Sequence, residues 1–303
     1  MTEAALVGLR AIQYAAAAIV LGVPAFMLYG RAALAGARSG WAGRLIRLAA
    51  AVLLLATLAA LVVQTAVMAG SLVEAVKPET LGFMITGTAL GAAYAARAAL
   101  ALLALMLALS LRFDGALWRS LILPALLIGA SFAWTGHGGA TEGPWRWPHL
   151  AADVVHAIAA LIWIGALAAF VALARRRKEV DAPVDGLAAA LVGFANIGTL
   201  AVSALVLSGL VNVWVLVGPD ALPALLSTAW GQLLAVKLAA FAGMLGLATL
   251  HRYRLAPALS ASGVRDAPSL GRLRRTLAVE FALGLAILGL VAAMGLLPPP
   301  ASL

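Results

Sequence analysis

The chain has 303 residues, 64% of them hydrophobic and only 11% charged, with a formal net charge of +9 and no cysteine. A soluble protein of this size needs far more polar surface, and the absence of thiols excludes disulfides, iron–sulfur clusters and thiolate metal sites. Nucleic acid is not the partner that the positive charge implies, because the basic residues sit in short stretches between apolar runs, where they set membrane orientation.

Apolar runs of about 20 residues recur along the whole chain, which is the length a helix needs to cross a hydrocarbon core. Strand-type alternation is absent, which argues against a β-barrel. The expected fold is therefore all-α: a polytopic membrane helix bundle of eight transmembrane helices, forming a single transmembrane domain over 1–303. The spans are predicted at about 7–29, 46–70, 88–111, 117–136, 149–173, 190–217, 231–250 and 276–297.

The first span carries Gln13 and Tyr14. It is read as a retained span rather than a signal peptide, because its positive charge follows it at Arg31, Arg38, Arg44 and Arg47. The second span carries Gln64, and the 71–87 segment after it, with Phe83, Met84 and Ile85, is expected to lie on the membrane surface. Arg97 lies within the third span, and Arg112 and Arg119 flank the turn that follows. The fourth span ends in Trp134-Thr-Gly-His-Gly-Gly, which places His137 at its mouth. The fifth carries His149, Asp153, His156 and Trp163, and runs into Arg175, Arg176, Arg177 and Lys178. Asn212 and Trp214 close the sixth span, and Lys237 lies in the seventh. A loop with Arg252, Arg254, Arg265, Arg272, Arg274 and Arg275 leads to the eighth span and Glu280.

Basic loops thus alternate with loops whose only basic residues are Lys77 and Arg146, set against Glu74, Glu79, Glu142 and Asp220. The positive-inside rule puts the basic loops in the cytoplasm and both termini on the opposite, periplasmic side. Trp134, Trp145, Trp147, Trp214 and Trp230 fall at predicted outer ends, as an interfacial belt requires.

Ionisable residues within spans are costly and usually face a bundle interior or a wet cavity. At about 1.5 Å of rise per residue, Gln13, Tyr14, Gln64, Arg97, Asp153, His156, Asn212 and Lys237 all fall roughly 8–15 Å below the outer surface. This coincidence predicts a polar cavity in the outer half of the bundle. The inner half is drier, with Glu280 its main ionisable residue. Glu280 has two readings: a first-turn acid paired with Arg274 or Arg275, or a transport residue.

His149, Asp153 and His156 are spaced i, i+4, i+7 and share one helix face. With His137 they are the candidate metal ligands, since imidazole binds copper and other transition metals and a carboxylate can orient it or add a ligand. His149 and His156 stand about 10 Å apart along the axis, too far for one ion. A hydrogen-bonded His–Asp pair that only joins helices remains an equal reading. Arg97 and Lys237, at the depth of Asp153, either pair with it or form an anion site for a carboxylate or haem propionates. Gln64, Asn212, Trp214 and Glu280 complete the supporting polar set. Met68, Met84 and Met294 lie near the outer side, where lipid-facing or core packing accounts for them better than thioether ligation does. No nucleophile sits beside a base and an orienting group, so an enzyme is not expected. No phosphate-binding loop is present either.

The segments Ser131-Phe-Ala-Trp-Thr-Gly-His-Gly-Gly and Leu150-Ala-Ala-Asp-Val-Val-His-Ala-Ile-Ala-Ala-Leu-Ile-Trp-Ile-Gly resemble the copper resistance protein D (CopD/PcoD) family. So do Phe194-Ala-Asn-Ile-Gly, Ser208-Gly-Leu-Val-Asn-Val-Trp, Gly231-Gln-Leu-Leu-Ala-Val-Lys-Leu, His251-Arg-Tyr-Arg-Leu-Ala-Pro and Leu273-Arg-Arg-Thr-Leu-Ala-Val-Glu. The resemblance is strongest over 125–300. It implies an eight-span bacterial inner-membrane protein of copper uptake or homeostasis, often working with a periplasmic copper-binding protein of the CopC type. It carries His137, Asp153, His156, Trp163, Asn212, Trp214, Lys237 and Glu280 onto family-like positions. At the seventh-span exit, where some relatives show Asn, this chain has His251. The leading expectation is a copper ion taken at a periplasm-facing vestibule and passed toward the cytoplasm. The alternative is a membrane redox protein holding haem or quinone in the same cavity, with Arg97 and Lys237 meeting the propionates.

Overall fold

A computed structural model of the chain describes residues 2–30, 40–175, 184–258 and 267–302. Of the basic residues named above, Arg31, Arg38, Arg176, Arg177, Lys178 and Arg265 lie outside the described residues. Eight helices are long and apolar enough to cross a membrane, and the described residues contain no strand. They are α1 (Thr2–Tyr29), α2 (Gly40–Ala69), α3 (Ala89–Ser110), α4 (Gly115–Ser131), α5 (Arg146–Arg175), α6 (Val184–Leu216), α7 (Ala229–Leu250) and α8 (Ala267–Met294).

Most helices run past the predicted limits. α1 begins before residue 7 and α2 before residue 46, because the polar first turns extend the helix beyond the apolar window that marks a span. The caps are local. Thr88 accepts from Gly91 N–H at 2.9 Å to start α3, Asp114 accepts from Ala116 N–H at 2.9 Å to start α4, and Thr228 accepts from Gly231 N–H at 3.0 Å to start α7. Pro24 and Pro124 lie inside α1 and α4, where packed neighbours tolerate them.

The 71–87 segment folds as two short helices, Leu72–Ala75 and Pro78–Gly87. Phe83 is exposed as expected, but Met84 is buried against Leu61 and Tyr94. The piece is thus anchored to α2 and α3 rather than lying wholly on the surface.

α1 and α5 form the centre of the bundle. α1 packs against α2, α4, α5 and α8, and α5 adds α6. Gly22 and Gly165 let these two central helices meet at their backbones; a Cβ on either would overlap the main chain of the other. α6 rests on α5 and α7 on α8, while α6 and α7 do not pack together along their length. Much of each of these two helices is exposed, with Leu200, Leu207, Leu210, Val236 and Leu238 facing outward, as lipid-facing surfaces require.

Arg10 of α1 donates to Gly295 O just beyond α8, so the two ends of the described chain lie together, while Arg47 at the start of α2 meets Ala108 at the end of α3 and Arg274 at the start of α8 meets Ala174 at the end of α5, so these basic residues gather at the other end. One large apolar cluster threads all eight helices, through Val20, Ile46, Ala104, Leu121, Phe170, Leu205, Met244 and Leu277. Near the terminus-bearing end the apolar packing breaks into two smaller groups, one around Met84 and Tyr94 and the other around Trp230 and Met294. The polar layer lies between them.

Candidate functional site

Among the described residues Arg97 is the largest fully buried side chain. Its Nη1–H donates to Gln13 Oε1 at 2.8 Å, its Nε–H to Ser131 Oγ at 2.9 Å, and its Nη2–H groups to Ser131 O at 3.0 Å and Thr135 Oγ1 at 3.1 Å. The guanidinium also lies over the Phe132 ring, 4.0 Å from its centroid. Thr57 donates to the same Gln13 oxygen at 3.3 Å. Every hydrogen-bonding partner of Arg97 is therefore neutral. The bend of α4 into the 3₁₀ turn Phe132–Thr135 makes this possible, because it turns Ser131 O and Thr135 Oγ1 toward α3. Tyr14 packs edge-on to Phe132 at 4.8 Å and completes the wall.

Asp153 is thereby left to other partners. Its Oδ2 accepts from Gly138 N–H at 2.9 Å and its Oδ1 from Asn212 Nδ2–H at 2.7 Å. A side chain at Gly138 would overlap the carboxylate, so the glycine after His137 is what allows the loop amide to reach it.

His149, one turn earlier on α5, is fully buried. Its Nδ1 lies 2.7 Å from Thr141 Oγ1, and Thr141 in turn donates to His137 O at 3.1 Å. With the hydroxyl proton used there, His149 Nδ1–H is the donor to Thr141 and Nε2 carries the lone pair. That Nε2 is buried, has no hydrogen-bond partner, and lies 3.9 Å from Asp153 Oδ1. The separation is too long for a hydrogen bond. It equals about two metal–ligand bonds of ~2 Å laid end to end, so an ion on the line between the two atoms reaches both, and a tetrahedral ion would draw them closer together. The Asp153 side chain is 21% exposed and that of His149 is 0% exposed, so the gap borders the surface on the carboxylate side alone.

The other candidates are distributed around this pair. His137 places Nε2 3.3 Å from Met294 O, at the end of α8. Arg10, also buried, donates from Nη1 to Gly295 O at 3.0 Å and covers the same helix end, where a cation is favoured by the helix dipole. His156 lies 2.9 Å from Ser208 Oγ, whose own proton goes to Ala204 O at 2.5 Å; the open nitrogen of His156 is therefore also Nε2. Lys237 is half-buried and makes no hydrogen bond or ion pair among the described residues. The side-chain oxygen of Gln64 is buried and has no hydrogen-bond partner. Trp214 is exposed at the terminus-bearing end, its ring 6.5 Å from Trp145. Among the described residues, no three His, Asp or Glu side chains gather closely enough to hold one ion.

Glu280 belongs to the other half. Its carboxylate does not meet Arg274, which donates to Ala174 O at 2.6 Å instead. It accepts from Trp163 Nε1–H at 3.2 Å and faces His251 Nδ1 at 3.0 Å.

Several contributors were not singled out from the sequence: Arg10, Ser131, Thr135, Thr141, Ser208, and His251 as the partner of Glu280. Two of them carried a usable signal. Arg10 stands three residues before Gln13, and Ser208 four before Asn212, so each shares a helix face with a polar residue already recognised.

Residues 1–147 match the family described as Copper resistance protein D-like, N-terminal domain, and residues 188–294 match Copper resistance protein D. Helix α5, with His149, Asp153 and His156, bridges the two matched segments. The chain is 40% identical over 223 residues to Copper resistance protein D of Pseudomonas syringae pv. tomato, covering 71% of each chain. It is 32% identical over 169 residues to Copper transport protein CutJ of Bacillus subtilis (strain 168), covering 55% of this chain and 28% of that one. No solved structure matches.

Proposed function

The chain belongs to the copper resistance protein D family, and from that premise we propose that it takes up copper at the terminus-bearing end of the bundle, between His149 and Asp153. It is a multi-pass membrane protein of a copper-handling family. The observation that carries the proposal is the buried, unpartnered Nε2 of His149, 3.9 Å from a carboxylate that no cation pairs with by hydrogen bond.

In this reading the substrate ion displaces water from the gap and ties α5 to the loop that holds Thr141 and Gly138. Asn212 and Gly138 fix the carboxylate, and Thr141 fixes the imidazole tautomer. Such outer partners typically change metal affinity by about 10- to 100-fold. The basic connections at the far end make that end cytoplasmic, so copper arrives from the periplasm across the bacterial inner membrane. A CopC-like periplasmic protein is the expected donor. The alternative, haem or quinone in the same cavity, loses support from Arg97, whose donors are taken up by Gln13, Ser131 and Thr135. Lys237 and the unpartnered Nε of Arg10 remain to meet an acidic group among the described residues.

The test is metal analysis and copper titration of the purified protein, together with its visible spectrum. Colourless protein that binds copper, with binding lost in His149→Gln and in Asp153→Asn, is the expected result. Unchanged stoichiometry and affinity in both variants would remove the site, and a Soret band would favour haem.

A further inference from the structure

Among the described residues, the buried ionisable side chains near the basic end are Glu280 and His251, which the copper site does not use. Glu280 on α8 and His251 at the end of α7 are both buried, and the two side chains face each other across the α7–α8 contact. His251 opens a π-helical turn, His251–Leu255, in which the α7 ladder changes register. Such turns are rare and occur disproportionately at functional positions.

The hydrogen bonds count the protons. Thr276 Oγ1 donates to Arg272 O at 3.0 Å or Leu273 O at 3.1 Å, so it accepts from His251 Nε2–H at 2.8 Å. Trp163 Nε1–H donates to Glu280 Oε1. What remains is His251 Nδ1 and Glu280 Oε2, 3.0 Å apart. Their alignment is not that of a formed hydrogen bond, since Oε2 finds no partner by angle. Without a proton, two lone pairs would face each other in an apolar interior. With one, the pair is neutral overall, either as imidazolium and carboxylate or as imidazole and carboxylic acid.

We propose that His251 and Glu280 form a one-proton binding site in the cytoplasmic half of the bundle, and that this proton is exchanged as copper crosses. The coupling rests on the transport reading above; the proton site does not. On release, the proton leaves from the Nδ1–Oε2 pair toward the basic end, one turn away, where Arg252 and Arg254 are exposed. The pair is then left with the carboxylate charge, which a passing copper cation offsets.

Among the described residues the surroundings supply no competing acid. From α5 the pair meets Trp163, and Arg175 stands exposed at that helix end. From α7, Phe241 packs edge-on to Trp163 at 5.8 Å, and beyond His251 come Arg252, Tyr253 and Arg254. Arg252 donates to Thr199 of α6 at 2.9 Å. α8 contributes Thr276, exposed Arg272 and Arg275, and Arg274, which is bonded to Ala174 O. α1 contributes Tyr29, whose ring packs on Phe26 and Phe194.

The test is infrared difference spectroscopy of the purified protein in nanodiscs, titrated across the neutral range, with the share of the tryptophan emission that Trp163→Phe removes read in parallel. The wild type is expected to show one carboxyl or imidazole signal that titrates together with the tryptophan emission. Glu280→Gln and the milder His251→Asn should both abolish it. A signal unchanged in either variant, or no titrating signal in the wild type, overturns the proton site. Proteoliposomes with a trapped pH dye then test coupling. Copper-driven proton movement should fall at least about tenfold in Glu280→Gln while copper binding at the outer site is retained. Equal proton movement in both proteins overturns the coupling. Absence of copper flux in the wild type overturns the transport reading and the coupling together, and the spectroscopic titration still decides the proton site.

Discussion

Arg97 and Glu280 are both fully buried charged residue types, one in each half of the bundle, and they are accommodated in opposite ways. Glu280 faces a single titratable partner, His251, at 3.0 Å. Arg97 is held by Gln13, Ser131 and Thr135, with an aromatic face beneath it and no carboxylate among its hydrogen-bond acceptors. The difference teaches where negative charge remains available. A cation solvated by several neutral dipoles does not need a counterion, so Asp153 stays at the mouth of the polar layer with its charge unclaimed by Arg97. A buried pair such as His251 and Glu280 is self-contained and changes state only when a proton or a cation moves.

Four substitutions would break or sharpen that contrast. Arg97→Ala is expected to have the largest effect on stability, about 3–5 kcal/mol, because it leaves a buried polar cage without its donor. Unfolding of the detergent-solubilised protein measures this, and a loss below about 1 kcal/mol would mean that the cage is hydrated rather than buried. Asp153→Asn is next. It should lower copper affinity by about 10- to 100-fold while destabilising by no more than roughly 1–2 kcal/mol, since its two hydrogen bonds can be partly remade. A loss of stability as large as that of Arg97→Ala would make Asp153 a structural residue after all.

Thr141→Val deprives His149 Nδ1 of its acceptor, costs about 1 kcal/mol, and should weaken copper binding by about tenfold as the ring loses its fixed tautomer. Copper titration with matched thermal melts separates the two effects. Lys237→Gln is the smallest. It removes a cation without a hydrogen-bond partner near the site, so stability should stay within about 0.5 kcal/mol. Copper affinity should rise by a few-fold, and a fall would show that Lys237 acts on the ligand directly.

The polar layer was legible from residue counting because depth along a helix depends only on rise per residue. Gln13, Arg97, Asp153 and Asn212 therefore appeared at one level before any packing was known. Their partners were not legible. Whether Asp153 pairs with Arg97, with Lys237 or with Asn212 depends on how each helix is rotated and which helices adjoin, and Asn212 is 59 residues away from it. The same limit made Arg274 look like the partner of Glu280. It lies one or two turns away along the chain, but its guanidinium crosses to the end of α5, while His251 reaches Glu280 from another helix.

By itself the sequence determined the number of spans, the uneven distribution of charge between the two ends, and the contrast between a polar half and a dry one. These follow from hydrophobic run length, loop charge and rise per residue, all of which are local quantities. Only the tertiary structure decided that α1 and α5 are central, that α6 and α7 stay apart, and that His149 rather than His156 faces Asp153 with an open nitrogen. Those outcomes rest on close approach at Gly22 and Gly165, on a glycine amide at residue 138, and on hydroxyl groups whose protons are committed elsewhere. Each depends on atoms far apart in the chain, and periodicity and composition do not encode them.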